Sequence, residues 1–192
     1  MDTAIILASN SPRRKELLRQ IGVAFTTQVA DVDERILAGE MPETYTMRVA
    51  ANKAKAVKHL ATAGTIIAAD TVVVLDDMIL GKPADGHDAE RMLTLLSGRM
   101  HRVITGLAVI DVGTENIQTD NAVTCVWFRT LTQNQIRSYV NTKEPLDKAG
   151  AYGIQGKGAL LVERIDGCYF NVVGLPLSLL GKMLMNFGIK LY

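Results

Sequence analysis

A predicted strand, turn and helix follow one another at the start of the chain, and this stretch most constrains the fold. The apolar run Ala4–Ala8 predicts a short buried strand. The Ser-Asn-Ser sequence at 9–11 suits a turn and a helix cap, and Pro12 suits the first helical position, where its missing N–H would be unpaired anyway. The helix is predicted to continue to Ile21 and to end at Gly22. The stretch therefore predicts a helix N-terminus that directly follows a buried strand.

The first turn of this predicted helix carries three cations, Arg13, Arg14 and Lys15. A helix N-terminus has a partial positive charge and usually prefers Asp or Glu in its first turn. The cations are either solvated surface charges or part of an anion site, because helix N-termini after strands bind anions readily. The Ser-Asn-Ser turn favours the second interpretation, a phosphate site.

Net charge and cysteine usage exclude several classes of protein. The 192 residues include 21 basic and 20 acidic side chains, so no global field attracts the chain to nucleic acid or an anionic membrane. Only Cys125 and Cys168 occur, without a C-x-x-C pair, which argues against a disulfide framework or a zinc site. No secretory leader and no long apolar run are visible. We expect a cytoplasmic protein with reduced thiols that binds neither nucleic acid nor membranes.

Predicted strands and helices alternate irregularly, and the second half contains antiparallel segments. This pattern predicts an α/β fold with a mixed twisted sheet and flanking helices, in a single domain over residues 1–192. The later predicted strands are Phe25–Ala30, Thr65–Leu75, Met78–Leu80, His101–Asp111, Asn121–Arg129, and a hairpin of Ala159–Ile165 and Cys168–Val173. The later predicted helices are Pro42–Ala63, Asp88–Leu96, one capped by Thr132 that ends near Val140, and one from Leu175-Pro176 to about Phe187.

Asp70 interrupts Thr65–Leu75, the strongest predicted strand of the chain. A carboxylate in such a run is costly unless it is paired, hydrogen-bonded or bound to a metal ion. Either a strand end or bulge exposes Asp70, or it belongs to a site where it holds a divalent ion or takes a proton from water. Lys53 lies on the apolar face of the helix Pro42–Ala63. Its ammonium either extends outward to solvent or points to the same site as Asp70.

Three weaker signals come from turns and loops. Lys82, between Gly81 and Pro83, fits either a phosphate contact or a simple turn. The acidic turn at 31–34 is either solvated or supplies a ligand to a hard metal ion. Gln155 lies in a glycine-rich sequence that lacks the phosphate-loop and dinucleotide patterns. Its amide would suit a nucleobase edge, although a flexible surface loop has the same composition.

These residues together predict a site that combines basic groups, carboxylates and an amide. Basic groups bind phosphates, and a carboxylate with a metal ion activates water. No serine or cysteine lies in a nucleophile motif. The combination indicates hydrolysis of a phosphoanhydride without a covalent intermediate.

Six motifs, in order along nearly the whole chain, resemble those of the Maf family of nucleoside triphosphate pyrophosphatases. They are S-N-S-P-R-R-K-E-L-L from Ser9, A-A-D-T-V-V at Ala68–Val73, G-K-P at Gly81–Pro83, S-G-R-M-H at Ser97–His101, D-K-A-G-A-Y-G-I-Q-G at Asp147–Gly156 and N-V-V-G-L-P at Asn171–Pro176. Met100 departs from the pattern, because threonine is frequent there. No proposed catalytic role depends on that position.

The resemblance implies an activity and a fold. It implies hydrolysis of a nucleoside triphosphate between its α and β phosphates, with a divalent cation, Mg²⁺ or Mn²⁺. The loop with Gln155 is similar to that of the subgroup acting on dTTP and UTP. The implied fold is two-lobed α/β, related to inosine triphosphatases, with a central cleft, and a homodimer is the family expectation.

The resemblance also implies site residues. Asp70 would accept the proton and, with Glu34, would bind the metal ion. The predicted substrate-binding residues are Ser9, Arg13, Arg14, Lys53, Thr71, Lys82 and Gln155. Of these, Arg13, Thr71 and Gln155 fall where substrate choice is tuned, and Lys53 and Lys82 fall in the phosphate and metal region.

Two alternative functions stay open. One is a 7-methyl-GTP pyrophosphatase of the same family. The other is a nucleotide-binding regulator of septum formation whose hydrolysis is incidental. An ionised Asp70 beside phosphates argues against the regulator, because a pure binder has no use for a costly carboxylate there.

Overall fold

The computed structural model describes residues 4–191, which form strands and helices in irregular alternation. The strands are β1 (Ile5–Leu7), β2 (Thr26–Thr27), β3 (Thr65–Leu75), β4 (Met78–Leu80), β5 (Met100–Asp111), β6 (Ile117–Phe128) and β7 (Val162–Asp166). The helices are α1 (Pro12–Gln20), α2 (Pro42–Lys58), α3 (Gly86–Leu96), α4 (Gln133–Val140), α5 (Tyr169–Val173) and α6 (Leu177–Asn186). Short 3-10 turns occupy Glu144–Asp147, Ala149–Ala151 and Gly156–Leu160.

Seven strands within the described residues pair into one mixed sheet. The order is β2-β1-β3-β5-β6-β7, and β4 pairs with β3 outside this path. β1 runs parallel to both β2 and β3, whereas β4 is antiparallel to β3 and β7 is antiparallel to β6. The predicted mixed α/β sheet with flanking helices is confirmed.

The chain divides into two compact units. Unit 1 comprises Met1–Asp70, Thr105–Ala122 and Gly174–Tyr192, and unit 2 comprises Thr71–Ile104 and Val123–Val173. The predicted cleft stays a prediction. Within residues 4–191, no helix combines the length and the apolar character needed to span a membrane.

In unit 1, α2 packs closely against the sheet. Its buried face joins the apolar strand residues in one core, which includes Ile6, Ala8, Ala50, Ala54, Val57, Ile66, Ala68, Ala108 and Ile110. A Cβ atom at Gly106 of β5 would lie only 2.3 Å from the carbonyl carbon of Thr46 in α2. The glycine therefore lets the helix backbone approach the strand directly.

In unit 2, α3 and α4 pack over the sheet and around a buried aromatic group. The core includes Val73, Leu93, Phe128, Ile136, Tyr139 and Tyr152. The ring of His101 makes edge-to-face contacts with Phe128 and Tyr152, and its Nε2 lies 2.7 Å from the Tyr152 hydroxyl. Burial lowers the pKa of His101 to about 4.

The predicted C-terminal hairpin is wrong. β7 pairs with β6, and Tyr169–Val173 is a short helix. The hydroxyl of Thr124 in β6 donates to the carbonyl of Cys168 at 3.1 Å and accepts from its N–H at 3.0 Å. These two bonds bind the chain to β6 just after Gly167, so it turns into α5 and does not return as a strand.

Two other predicted elements are too long. β2 contains only Thr26–Thr27, and α2 ends at Lys58, not at Ala63. Leu60, within the predicted helix but beyond its observed end, is 58 % exposed. Val57 is the last buried residue of the helix, which ends one residue later at Lys58.

Candidate active site

In unit 1, two carboxylates contact the ammonium of Lys53. Its Nζ lies 2.7 Å from Oδ1 of Asp70 and 2.8 Å from Oε1 of Glu34. Only 11 % of the Asp70 side chain and 18 % of the Lys53 side chain are exposed, whereas 53 % of the Glu34 side chain is exposed. Asp70 is therefore a buried carboxylate whose charge is balanced, and the alternatives of an exposing bulge and of a solvent-extended lysine are both wrong.

The position of Lys53 follows from how α2 packs. The helix buries Val49, Ala50, Ala54 and Val57, so its apolar face is turned to the sheet. Lys53 adjoins Ala54 at the border of that face, and its ammonium reaches Asp70. The packing of α2 on the sheet thus places the Lys53 ammonium next to the Asp70 carboxylate of β3.

The turn between β1 and α1 is linked through Arg14 to the middle of β3, next to Asp70. The Ser9 hydroxyl accepts from the N–H of Ser11 at 3.2 Å and from Nη1 of Arg14 at 3.2 Å. The same Arg14 side chain donates to the carbonyl of Ala69 at 2.9 Å and to that of Gly174 at 2.8 Å. Arg14 therefore joins the start of α1 to the residue before Asp70.

The electrostatics of Arg14 reflect this position. Burial lowers the pKa of the Arg14 guanidinium, and the neighbouring charge of Arg13 lowers it further, while the charges of Asp70 and Glu34 act in the opposite direction. The predicted cation cluster at this helix N-terminus thus lies within the field of the two carboxylates. A positive helix end and two arginines make this part of unit 1 suitable for a phosphate group.

Tyr45 is a member of the cluster that sequence reasoning missed. Its hydroxyl donates to the backbone carbonyl of Glu34 at 2.8 Å. Burial, together with the negative charges of Asp70 and Glu34, raises the pKa of Tyr45 to about 12, so it is a neutral donor at physiological pH. The signal that could have found it is spacing, because Tyr45 precedes Lys53 by about two helical turns on the same face of α2.

A second contact from α2 holds the segment that carries Glu34. Arg48 binds both carboxylate oxygens of Glu40, with donor distances of 2.6 and 2.7 Å, and donates to the carbonyl of Arg35 at 2.9 Å. The carbonyls of Glu34 and of the next residue, Arg35, are therefore both hydrogen-bonded to side chains of α2. The acidic turn is a fixed part of unit 1, although its side chains are exposed.

The remaining predicted residues, Thr71, Lys82 and Gln155, belong to unit 2. Thr71 is half-buried in β3, and Lys82 and Gln155 are exposed in turns. The N–H of Gly150 donates to the carbonyl of Gly81 at 3.0 Å, which places the Lys82 turn beside the glycine-rich loop within unit 2. Their roles toward a substrate stay predictions.

Comparison with known proteins identifies the family. Residues 4–187 match the family model described as Maf-like protein. The chain belongs to the Maf-like family. A dTTP/UTP pyrophosphatase from Clostridioides difficile is 50 % identical over 98 % of this chain and 97 % of its own length. Relatives of the same name from Desulforamulus reducens and Syntrophomonas wolfei are 49 % and 48 % identical, and each alignment covers at least 95 % of both chains.

A solved structure extends the comparison to the fold of this Maf-like protein. The HAM1 protein from Coxiella burnetii has a TM-score of 0.52 at 15 % identity, over 96 % of this chain and 99 % of that chain. At this identity the similarity supports the fold alone. It agrees with the mixed α/β sheet and flanking helices described above.

The carboxylates of the Maf-like protein suit a hard divalent cation. Asp70 and Glu34 each place one carboxylate oxygen against the ammonium of Lys53, so both carboxylates belong to one cluster. Carboxylate oxygens are the ligands that Mg²⁺ and Mn²⁺ prefer. No group of three or more His, Cys, Asp or Glu side chains converges anywhere in residues 4–191. Phosphate oxygens and water would therefore complete the coordination, as is usual for Mg²⁺.

Proposed function

We propose that this Maf-like protein hydrolyses dTTP and UTP between the α and β phosphates, which releases the nucleoside monophosphate and pyrophosphate. The observation that carries the proposal is the Asp70–Lys53–Glu34 cluster, which puts a buried carboxylate next to an ammonium group. The full-length similarity to relatives named dTTP/UTP pyrophosphatase supports the choice of substrate.

Asp70 is assigned as the base. One of its oxygens, Oδ1, accepts from Lys53, so Oδ2 is the oxygen assigned to take a proton from water. The water oxygen then forms a bond to phosphorus, the phosphoanhydride bond breaks, and pyrophosphate leaves. Lys53 holds the carboxylate in place, and Tyr45 holds the main chain of Glu34.

Phosphate binding is assigned to the start of α1 and to the lysines. Ser9 uses its oxygen to accept from Ser11 and Arg14, which leaves its hydroxyl proton to donate to a phosphate oxygen. Arg13, Arg14, Lys53 and Lys82 supply positive charge. Glu34 and Asp70 would hold Mg²⁺ or Mn²⁺, which when bound neutralises phosphate charge and polarises the phosphoryl group.

Base recognition is assigned to Gln155, with Thr71 as a further position that tunes substrate choice. A glutamine amide carries a donor and an acceptor on one edge. Thymine and uracil present the complementary carbonyl and N–H groups. The exposed position of Gln155 leaves its amide accessible to such an edge. A cytoplasmic location and a homodimer stay predictions.

Pyrophosphate release from dTTP, UTP, CTP, GTP and 7-methyl-GTP, with Mg²⁺ or Mn²⁺, tests the proposal. We expect release from dTTP and UTP, and a loss of about 100-fold or more in Asp70→Asn, which cannot accept the proton. The matched control is Asp77→Asn, which changes an exposed aspartate and should leave the rate unchanged.

The other outcomes separate the alternatives. Activity confined to 7-methyl-GTP would keep the chemistry and overturn the assignment of the pyrimidine base. Binding of dTTP without turnover of any triphosphate would favour the alternative function, a nucleotide-binding regulator.

A further inference from the structure

The carboxylate of Glu144 is surrounded by donors from the loop that carries Gln155, defined here as residues 153–158. Its Oε1 accepts from the hydroxyl of Tyr139 at 3.0 Å and from the N–H of Gly158 at 3.1 Å. Its Oε2 accepts from the N–H of Lys157 at 3.2 Å. One side chain thus binds two consecutive backbone N–H groups at the start of a 3-10 turn, which is the geometry of an anion bound at a helix N-terminus.

The N-terminal end of the loop, at Gly153, is hydrogen-bonded to Tyr139, which itself binds Glu144. The N–H of Gly153 donates to the Tyr139 hydroxyl at 3.3 Å. Lys148 donates to the backbone carbonyl of Glu144 and to Oδ1 of Asp147, the latter at 2.6 Å. Both ends of the loop are therefore held by the Tyr139–Glu144 pair, and Lys148 holds that pair in turn.

The loop glycines allow this closure. Gly156 has a φ of +63°, and a Cβ there would lie 3.0 Å from Oε2 of Glu144. A Cβ at Gly158 would lie 2.1 Å from the carbonyl oxygen of Gly153 and 2.6 Å from the Tyr139 hydroxyl. The glycines of this loop therefore let the backbone close around a carboxylate.

Electrostatics agree with an ionised Glu144. Burial raises its pKa, but the donors from Gly158, Lys157 and Tyr139 outweigh burial, and the pKa lies below its ordinary value. Ile154 and Gly158 are buried, whereas Gln155 between them is exposed. The loop is thus fixed by its main chain, and its one amide side chain is presented outward.

We propose that Glu144 is a positioning residue that holds the loop 153–158 in the conformation presenting Gln155, and that it thereby sets the preference for a pyrimidine base. This inference rests on the proposed function. Glu144 acts through Gln155 and the loop main chain, and is not assigned to the reacting atoms.

Glu144→Gln tests the inference, because an amide keeps the size of the side chain but has one accepting oxygen. Its NH₂ group would face an N–H donor. The loss of a hydrogen bond to a charged group loosens the loop, so we expect the KM for dTTP to rise about 10-fold or more while kcat stays within about twofold. The preference for dTTP over GTP should fall, and the amides of Lys157 and Gly158 should exchange with deuterium about 10-fold faster.

Two further variants keep the test decisive. Glu163→Gln changes an exposed glutamate of β7 in the same unit and should match the wild type in every readout. Tyr139→Phe removes one donor to Glu144 and the acceptor of Gly153, and should move KM and amide exchange in the same direction by a smaller factor. If Glu144→Gln fails to fold, Tyr139→Phe carries the test.

The outcomes separate this inference from the proposed function. A wild-type protein that releases no pyrophosphate from dTTP or UTP overturns the proposed function, and with it the role in base selection. An active wild type with unchanged KM, preference and exchange in Glu144→Gln overturns only the inference. A fall in kcat alone, equal for all nucleotides, would also overturn it.

Discussion

In unit 1 the side chain of Asp70 is held by another side chain, the ammonium of Lys53. In unit 2 Gln155 has an exposed side chain on a backbone that Glu144 binds through two N–H groups. The first arrangement depends on opposite charges that are largely removed from water. The second depends on one accepting carboxylate and on glycines that leave room for it. Removal of a charge should therefore disrupt both regions, whereas the addition of atoms at a glycine should disrupt the second region without any change of charge.

The largest effect is expected from Lys53→Met, which removes a charge from the unit 1 cluster. It leaves the buried Asp70 carboxylate without its bound ammonium, so the free energy of unfolding should fall by about 3 kcal/mol. Urea denaturation measures this change. Lys55→Met, which changes an exposed lysine of the same helix, is the matched control. The double variant Lys53→Met/Asp70→Asn should lose less than the two single losses together, and additivity would contradict the coupling.

Gly158→Ala should break the unit 2 loop without changing any charge. The added methyl group would overlap the carbonyl of Gly153, which should cost about 2 kcal/mol of unfolding free energy. Thermal denaturation measures this loss of unfolding free energy. Gly181→Ala is the control, because the nearest atom to a Cβ there is 3.9 Å away, and in α6 an alanine should be neutral or slightly stabilising. Equal stability of the two variants would argue against the tight closure of the loop.

The smallest effect is expected from Tyr45→Phe in unit 1. This change removes the hydrogen bond to the carbonyl of Glu34, which should cost about 1 kcal/mol, and kcat/KM for dTTP should fall by about fivefold. Steady-state kinetics measure this fall in kcat/KM. Tyr169→Phe, which alters an exposed tyrosine, is the matched control. An unchanged kcat/KM would show that the position of Glu34 does not depend on Tyr45.

How much of the site could be predicted differs between the two regions. Asp70 and Lys53 were predictable because each breaks an apolar pattern, and the structure joins them across 17 positions of sequence. Glu34 was singled out of an acidic turn only through the resemblance to the Maf family. Tyr45 was missed because a buried tyrosine on a helix face is normally a core residue.

Fold prediction failed where a long-range hydrogen bond decided the local structure. The segment after Gly167 has the composition of a strand, yet Thr124 binds Cys168, and the chain enters α5. The apolar pattern of Thr65–Leu75 and Met78–Leu80, in contrast, predicted β3 and β4 with their observed bounds. Strong local patterns survive tertiary packing, and weak ones yield to it.

The sequence by itself determined the α/β class, the strand–turn–helix at the start and the family. These follow from apolar periodicity, from turn and cap residues, and from motifs spread along the chain, all of which are local. Only the tertiary structure decided which charges meet at Lys53 and that Glu144 binds the loop of Gln155. Such partners are chosen by packing between distant segments, because a buried charge or carboxylate is stable only where a complementary group reaches it.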